Sequence, residues 1–126
     1  MRIFTVLFVL CLLVFVLALS PAIAFDAQSL VGEWTGDWQY SGLSGKFYLT
    51  IKSINDGKVK GSVFVYSTAR YANRELPISG TLTSDGVLSL NNDYLRLSLN
   101  VISSSHIEGT SWDGLYNANV KVDKLK

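Results

Sequence analysis

The chain has 126 residues, with 11 Lys and Arg against 10 Asp and Glu and a formal net charge of +1. That balance supplies no basic surface of the kind that nucleic acid or an anionic membrane attracts. The one cysteine, Cys11, lies in an N-terminal apolar run, which excludes a disulfide and a thiolate metal site in the folded domain.

The N-terminus comes first in chain order. Arg2 is followed by an apolar run from Ile3 to Leu19, broken only by Thr5, then by Ser20, Pro21 and Ala22-Ile23-Ala24. A positive start, an apolar middle and a small-x-small exit are the parts of a secretory signal peptide. The expected organisation is a signal peptide over 1–24 and a single β-barrel domain over 25–126, secreted or periplasmic in a bacterial envelope. The rival is a retained anchor. A spanning helix needs ~20 apolar residues, the run is slightly shorter, and Pro21 with the Ala-x-Ala exit favours cleavage. Cleaved, the chain keeps no membrane span. Cys11 is preceded by Val9-Leu10, where a lipid-anchor site needs a small residue. Removing Arg2 leaves the mature chain formally neutral.

Beyond Ala24 the hydrophobic pattern has period two, the signature of half-buried strands. In Trp34 to Tyr40, the residues Trp34, Gly36, Trp38 and Tyr40 share one face. Phe47, Leu49 and Ile51 alternate with Tyr48, Thr50 and Lys52. Val59, Val63 and Val65 alternate with Lys58, Lys60 and Ser62. Leu95, Leu97, Leu99 and Val101, then Ala118, Val120 and Val122, repeat the pattern. Asp-Gly at 56–57, 85–86 and 113–114 supplies the positive φ that tight hairpins require. Asn91-Asn92-Asp93 and Ser103-Ser104-Ser105 read as further turns. Strands are therefore predicted at 31–40, 46–54, 58–67, 75–83, 87–91, 94–102, 106–112 and 116–124, joined by short connections except at 67–74.

A spaced glycine points to closure. Leu43-x-Gly45, Val59-x-Gly61, Ile78-x-Gly80 and Ile107-x-Gly109 each place a glycine on the inward phase. Glycine weakens a strand unless the strand bends or another backbone packs close, and barrel closure needs such bends. The predicted fold is all-β, an antiparallel eight-stranded up-and-down meander barrel, which also removes exposed sheet edges. An open sandwich with local bulges is the alternative.

Gly32-Glu33-Trp34 opens the first strand. Together with Phe47-Tyr48-Leu49-Thr50, Asp56-Gly57-Lys58-Val59-Lys60-Gly61 and Leu76-Pro77-Ile78-Ser79-Gly80, it resembles the calycin superfamily, which includes lipocalins and avidins. The resemblance to avidin-type proteins runs from about Leu30 to Leu82. It implies an eight-stranded barrel in which Trp34 plugs one end; the last strand holds no obvious cationic partner for that ring unless Lys121 or Lys124 serves by laying its stem across it. Biotin binders carry Asn two residues after that Trp, where this chain has Gly36. They carry Tyr and Ser after the strand-three Gly, where it has Val63 and Val65. Leaving a ligand's buried polar groups unpaired costs ~1–3 kcal/mol each, so biotin binding is not expected and no cofactor is implied.

Inward positions are almost all aliphatic, which predicts a filled interior and, if a cavity exists, an apolar one. Trp38 stands at the end away from Trp34, where it either completes the core or lines a ligand pocket. Arg70, Tyr71, Asn73 and Arg74 fall in the one long connection, at a barrel rim, where a bidentate guanidinium pair suits an anionic group. Tyr48, Phe64 and Tyr66 fall on the outward phase of neighbouring strands and form a candidate interface. A bulge at Gly61 is the competing reading and would turn Phe64 and Tyr66 inward. Tyr94 and Trp112 also fall on the outward phase.

Catalysis finds few parts. Glu33 and Asp37 share a face but lie ~13 Å apart along an extended strand. His106 and Glu108 share a face without an evident third metal ligand. No nucleophile, base and acid come together around the single histidine. The expected function is binding or interaction without enzymatic activity, with self-association as its simplest form. The alternatives are carriage of a small apolar ligand and inhibition of a secreted protease.

Overall fold

A computed structural model describes residues 26–65 and 74–125. Eight strands follow in sequence: β1 (Gly32–Tyr40), β2 (Leu43–Asn55), β3 (Lys58–Val65), β4 (Leu76–Leu82), β5 (Val87–Asn91), β6 (Arg96–Ser103), β7 (His106–Trp112) and β8 (Asn117–Lys124). Each pairs antiparallel with the next, and β1 pairs with β8, so the meander closes into a barrel without a free edge. This is the predicted architecture, and it is compatible with a calycin-like fold.

The alternation sorts the side chains as read. Trp34, Phe47, Leu49, Ile51, Val59, Val63, Leu88, Leu90, Leu97, Leu99, Ile107, Val120 and Val122 point inward and form one buried cluster, with Trp38, Leu76 and Val101 packed against it. Barrel closure depends on the inward glycines. At Gly36 and Gly80 an added Cβ would fall inside the van der Waals shell of the Lys121 and Ser89 carbonyl oxygens of the neighbouring strand, and Gly61 and Gly109 meet Thr50 and Ser98 in the same way. A side chain cannot be fitted between two strands so close without moving them apart.

The start of β2 and the place of a bulge differ from the sequence reading. β2 begins at Leu43 because Ser41 and Gly42 turn the chain within two residues, both at positive φ (46° and 80°). That is the backbone of a type I′ hairpin, supplied here by Ser-Gly in place of the expected Asp-Gly. The bulge at Gly61, the competing reading, is not formed; the register shift on this strand pair lies in β2, between Ile51 and Ser53. It lets Ile51 and Ile54 both face the core at an odd spacing. The phase of β3 is kept, so Val63 and Val65 are buried and Phe64 stays outward.

The ends of the barrel are built differently. A 3-10 helix, Ala27–Leu30, closes the end where β1 starts and β8 stops. Leu30 is fully buried beneath it. The opposite end carries the Ser41-Gly42 turn, the Asn92 loop and the Asp113–Tyr116 loop. Among the described residues no helix is long and apolar enough to cross a membrane.

Candidate functional site

Trp34 belongs to the closed end. It is 1% exposed, and its indole Nε1 donates to the Leu30 carbonyl at 2.9 Å. Gln28 Nε2 donates to the Ile54 carbonyl at 2.7 Å, and Lys124, the register partner of Trp34, donates its ammonium to the Ser29 carbonyl. The Leu125 amide then donates to the Glu33 carbonyl at 2.8 Å. These polar groups are spent on holding the plug, which is structural.

The open end is different in kind. Tyr40, Leu43, Tyr94, Trp112, Leu115 and Tyr116 are all exposed around it. Contiguous exposed apolar groups mark interaction surfaces. Tyr40 and Tyr116 pack against each other with ring centroids 4.9 Å apart and planes tilted by 47°. Asp113 shapes the β7–β8 loop by accepting from the Leu115 and Tyr116 amides at 2.8 and 2.7 Å. Asn92 shapes the β5–β6 loop by accepting from the Tyr94 and Leu95 amides, both at 2.8 Å. Arg74 extends to that loop: its guanidinium lies 5.9 Å from the centre of the Tyr94 ring and donates to Tyr94 Oη at 3.5 Å.

The predicted rim residues thus divide. Arg74 is on the rim and engages Tyr94. Trp38 is inward near the same end, half-buried and packed on the core. Arg70, Tyr71 and Asn73, with Tyr66 of the predicted interface, lie outside the described residues. The sequence reading did not single out Tyr40, Leu43, Leu115 or Tyr116. The available signal was the position of these large residues at strand ends beside turn residues.

The predicted interface pair does come together. Tyr48 and Phe64 are register partners on β2 and β3, outward-facing and partly exposed. They wall an open groove of about 330 Å³ whose other sides are Glu33, Trp34, Thr50, Ser62, Glu75 and Leu125. Ser62 is only 4% exposed and donates to the Glu75 carboxylate at 2.6 Å. A second groove, of about 370 Å³, lies on the rim between the β1–β2 hairpin and β8, lined by Gln39, Tyr40, Ser41, Gly42, Leu43, Ser44, Asn117 and Asn119.

His106 acquires a partner that sequence spacing did not reveal. Its Nε2 lies 2.8 Å from Glu108 and its Nδ1 lies 2.6 Å from Asp123, across the β7–β8 register. Ionised carboxylates only accept, so both ring nitrogens donate when the imidazole is charged. The hydrogen bond to Glu108, then that to Asp123, raises the imidazole above its ordinary value, and the bond from His106 lowers Glu108. The carboxylates sit on opposite ring nitrogens and do not converge on a point. Among the described residues no group of three His, Cys, Asp or Glu side chains is arranged to hold a metal.

No protein-family model, curated protein or solved structure matches this chain.

Proposed function

We propose that this chain is an exported binding barrel of the bacterial envelope that acts through its outer surface, with self-association as the simplest form. The observation that carries the reading is the outward Tyr48–Phe64 pair. Two aromatic rings face each other across strands at the wall of an open groove. Aromatic side chains of this kind concentrate binding energy at interfaces. The continuous aliphatic cluster inside the barrel favours recognition by the surface over carriage of a ligand within it. The calycin likeness is part of the same proposal. It is supported by the up-and-down order, by Trp34 at the closed end and by Lys124 reaching from the last strand to the plug.

Size-exclusion chromatography with light scattering, run from dilute to concentrated protein, tests the reading. The expected result is a mass that rises toward the dimer with concentration, and a Phe64→Asp variant that stays monomeric with an unchanged circular dichroism spectrum. A strict monomer at every concentration, or an assembly indifferent to Phe64→Asp, overturns it. N-terminal sequencing of the same exported sample is expected to begin at Phe25; a sample beginning at Met1 overturns the cleaved leader.

A further inference from the structure

The groove between the β1–β2 hairpin and β8 has a composition unlike the rest of the barrel wall. Gln39 is the register partner of Ser44 on β2 and of Asn119 on β8. Three amide or hydroxyl side chains therefore stand abreast on three adjacent strands, ~4.8 Å from one to the next. Asn117 follows on the same face of β8, and its register partner on β7 is Trp112. Among the described residues no side-chain hydrogen bond engages Gln39, Asn117 or Asn119, so their donors and acceptors face outward unspent.

Aromatic rings border this polar row. Tyr40 and Tyr116 form the tilted pair at the lip, 36% and 52% exposed, and Trp112 is 42% exposed beside Asn117. No side chain lining the groove is charged. The charges around it are set apart from the polar row: Asp37 pairs with Lys46 at 3.5 Å one outward position below, Lys121 lies 3.9 Å from Glu108, the Asp113 carboxylate is occupied by two backbone amides, and Arg96 stands on β6 on the far side of its register partner Trp112.

This combination selects a ligand class by chemistry. An anion or a cation finds no opposite charge among the residues that line the groove. An apolar molecule would strip water from the amides and replace none of their hydrogen bonds, at ~1–3 kcal/mol for each group left unpaired. A pyranose ring satisfies both requirements. Its C–H face packs on an aromatic ring, and its hydroxyl edge both donates and accepts, as primary amides do. At about 370 Å³ the groove falls within the ordinary size range of small-molecule sites, ~300–1,000 Å³. We propose that the rim groove formed by Gln39, Ser44, Asn117 and Asn119, with Tyr40, Tyr116 and Trp112 at its border, is a binding site for a neutral carbohydrate. The site is separate from the Tyr48–Phe64 groove, so it stands whether or not the barrel self-associates.

The test is a titration of ¹⁵N-labelled protein with neutral oligosaccharides built from glucose, galactose, mannose or N-acetylglucosamine, with uronic-acid oligosaccharides as the charged comparison. At least one neutral series is expected to shift the side-chain amide resonances of Asn117 and Asn119 saturably and to change the Trp112 fluorescence. Replacing both, Asn117→Ala with Asn119→Ala, is expected to weaken that binding about ten-fold or more, and Lys46→Ala to leave it within about two-fold. Gln39→Leu reports on the same row if the double variant does not fold. No response to any neutral series, a preference for the acidic sugars, or binding unmoved by these variants overturns the proposal.

Discussion

The two ends of this barrel are made from the same kinds of residue put to opposite uses. At the closed end Trp34 is buried, its indole N–H is bonded to Leu30, and Gln28 and Lys124 are tied to backbone carbonyls. At the rim Tyr40, Trp112 and Tyr116 are exposed, and the amides of Gln39, Asn117 and Asn119 face solvent. A large aromatic side chain stabilises the fold where its ring is covered and any polar atom on it finds a partner, as at Trp34. Where neither holds, the same side chain is surface available for recognition.

The sharpest way to break that comparison is to truncate one aromatic residue at each end. Trp34→Ala is expected to destabilise the barrel by about 3–5 kcal/mol through cavity formation, whereas Tyr116→Ala, which loses only its pairing with Tyr40, costs about 0.5–1.5 kcal/mol. Denaturant unfolding of the two variants measures both, and equal losses would dissolve the distinction between the ends.

A smaller effect is expected from the wall that joins them. Gly80→Ala drives a methyl group into the Ser89 carbonyl and should cost about 1–3 kcal/mol, as overpacking does. The readout is the denaturation midpoint. A variant as stable as the parent would show that the strands can separate there.

The smallest effect comes from the ion group near the closed end, and it depends on pH. His106 is raised, so its contribution is complete below the ordinary imidazole value of 6.5 and is lost as pH rises through the raised value. Glu108 is lowered, so its contribution is complete above the ordinary value of 4.5 and is lost as pH falls through the lowered value. Thermal unfolding followed across pH should therefore show these bonds contributing most between 4.5 and 6.5. His106→Gln should flatten the profile in that window. A profile that keeps its shape in the variant would assign the pH dependence elsewhere.

Much of this molecule was legible in its sequence because period two and inward glycine are imposed by the pleat and by closure. Phe47, Leu49, Val63 and Leu97 could only face inward once that period was read. The connection at Ser41-Gly42 was legible, but not its two-residue length, since Ser is a rare bearer of positive φ and Leu43 to Gly45 read as part of the link. Asp123 was missed as a partner of His106 because the contact follows from the β7–β8 register, which a single strand's spacing does not contain. The rim groove has the same origin. Gln39, Ser44 and Asn119 are neighbours only across strands, so each taken alone reads as an ordinary polar position on a solvated face.

The pairing of β1 with β8 has a mechanical consequence. These antiparallel strands enter and leave at the same end, where the Leu125 amide meets Glu33. A pull between residues 26 and 125 runs across the strands, not along them. It loads the interstrand bonds one after another, starting at the plug, so the seam opens like a zipper. A pull between residue 26 and the rim loads the β1 bonds together in shear. The barrel is thus weak against stretching between its own ends and strong against traction applied at the rim.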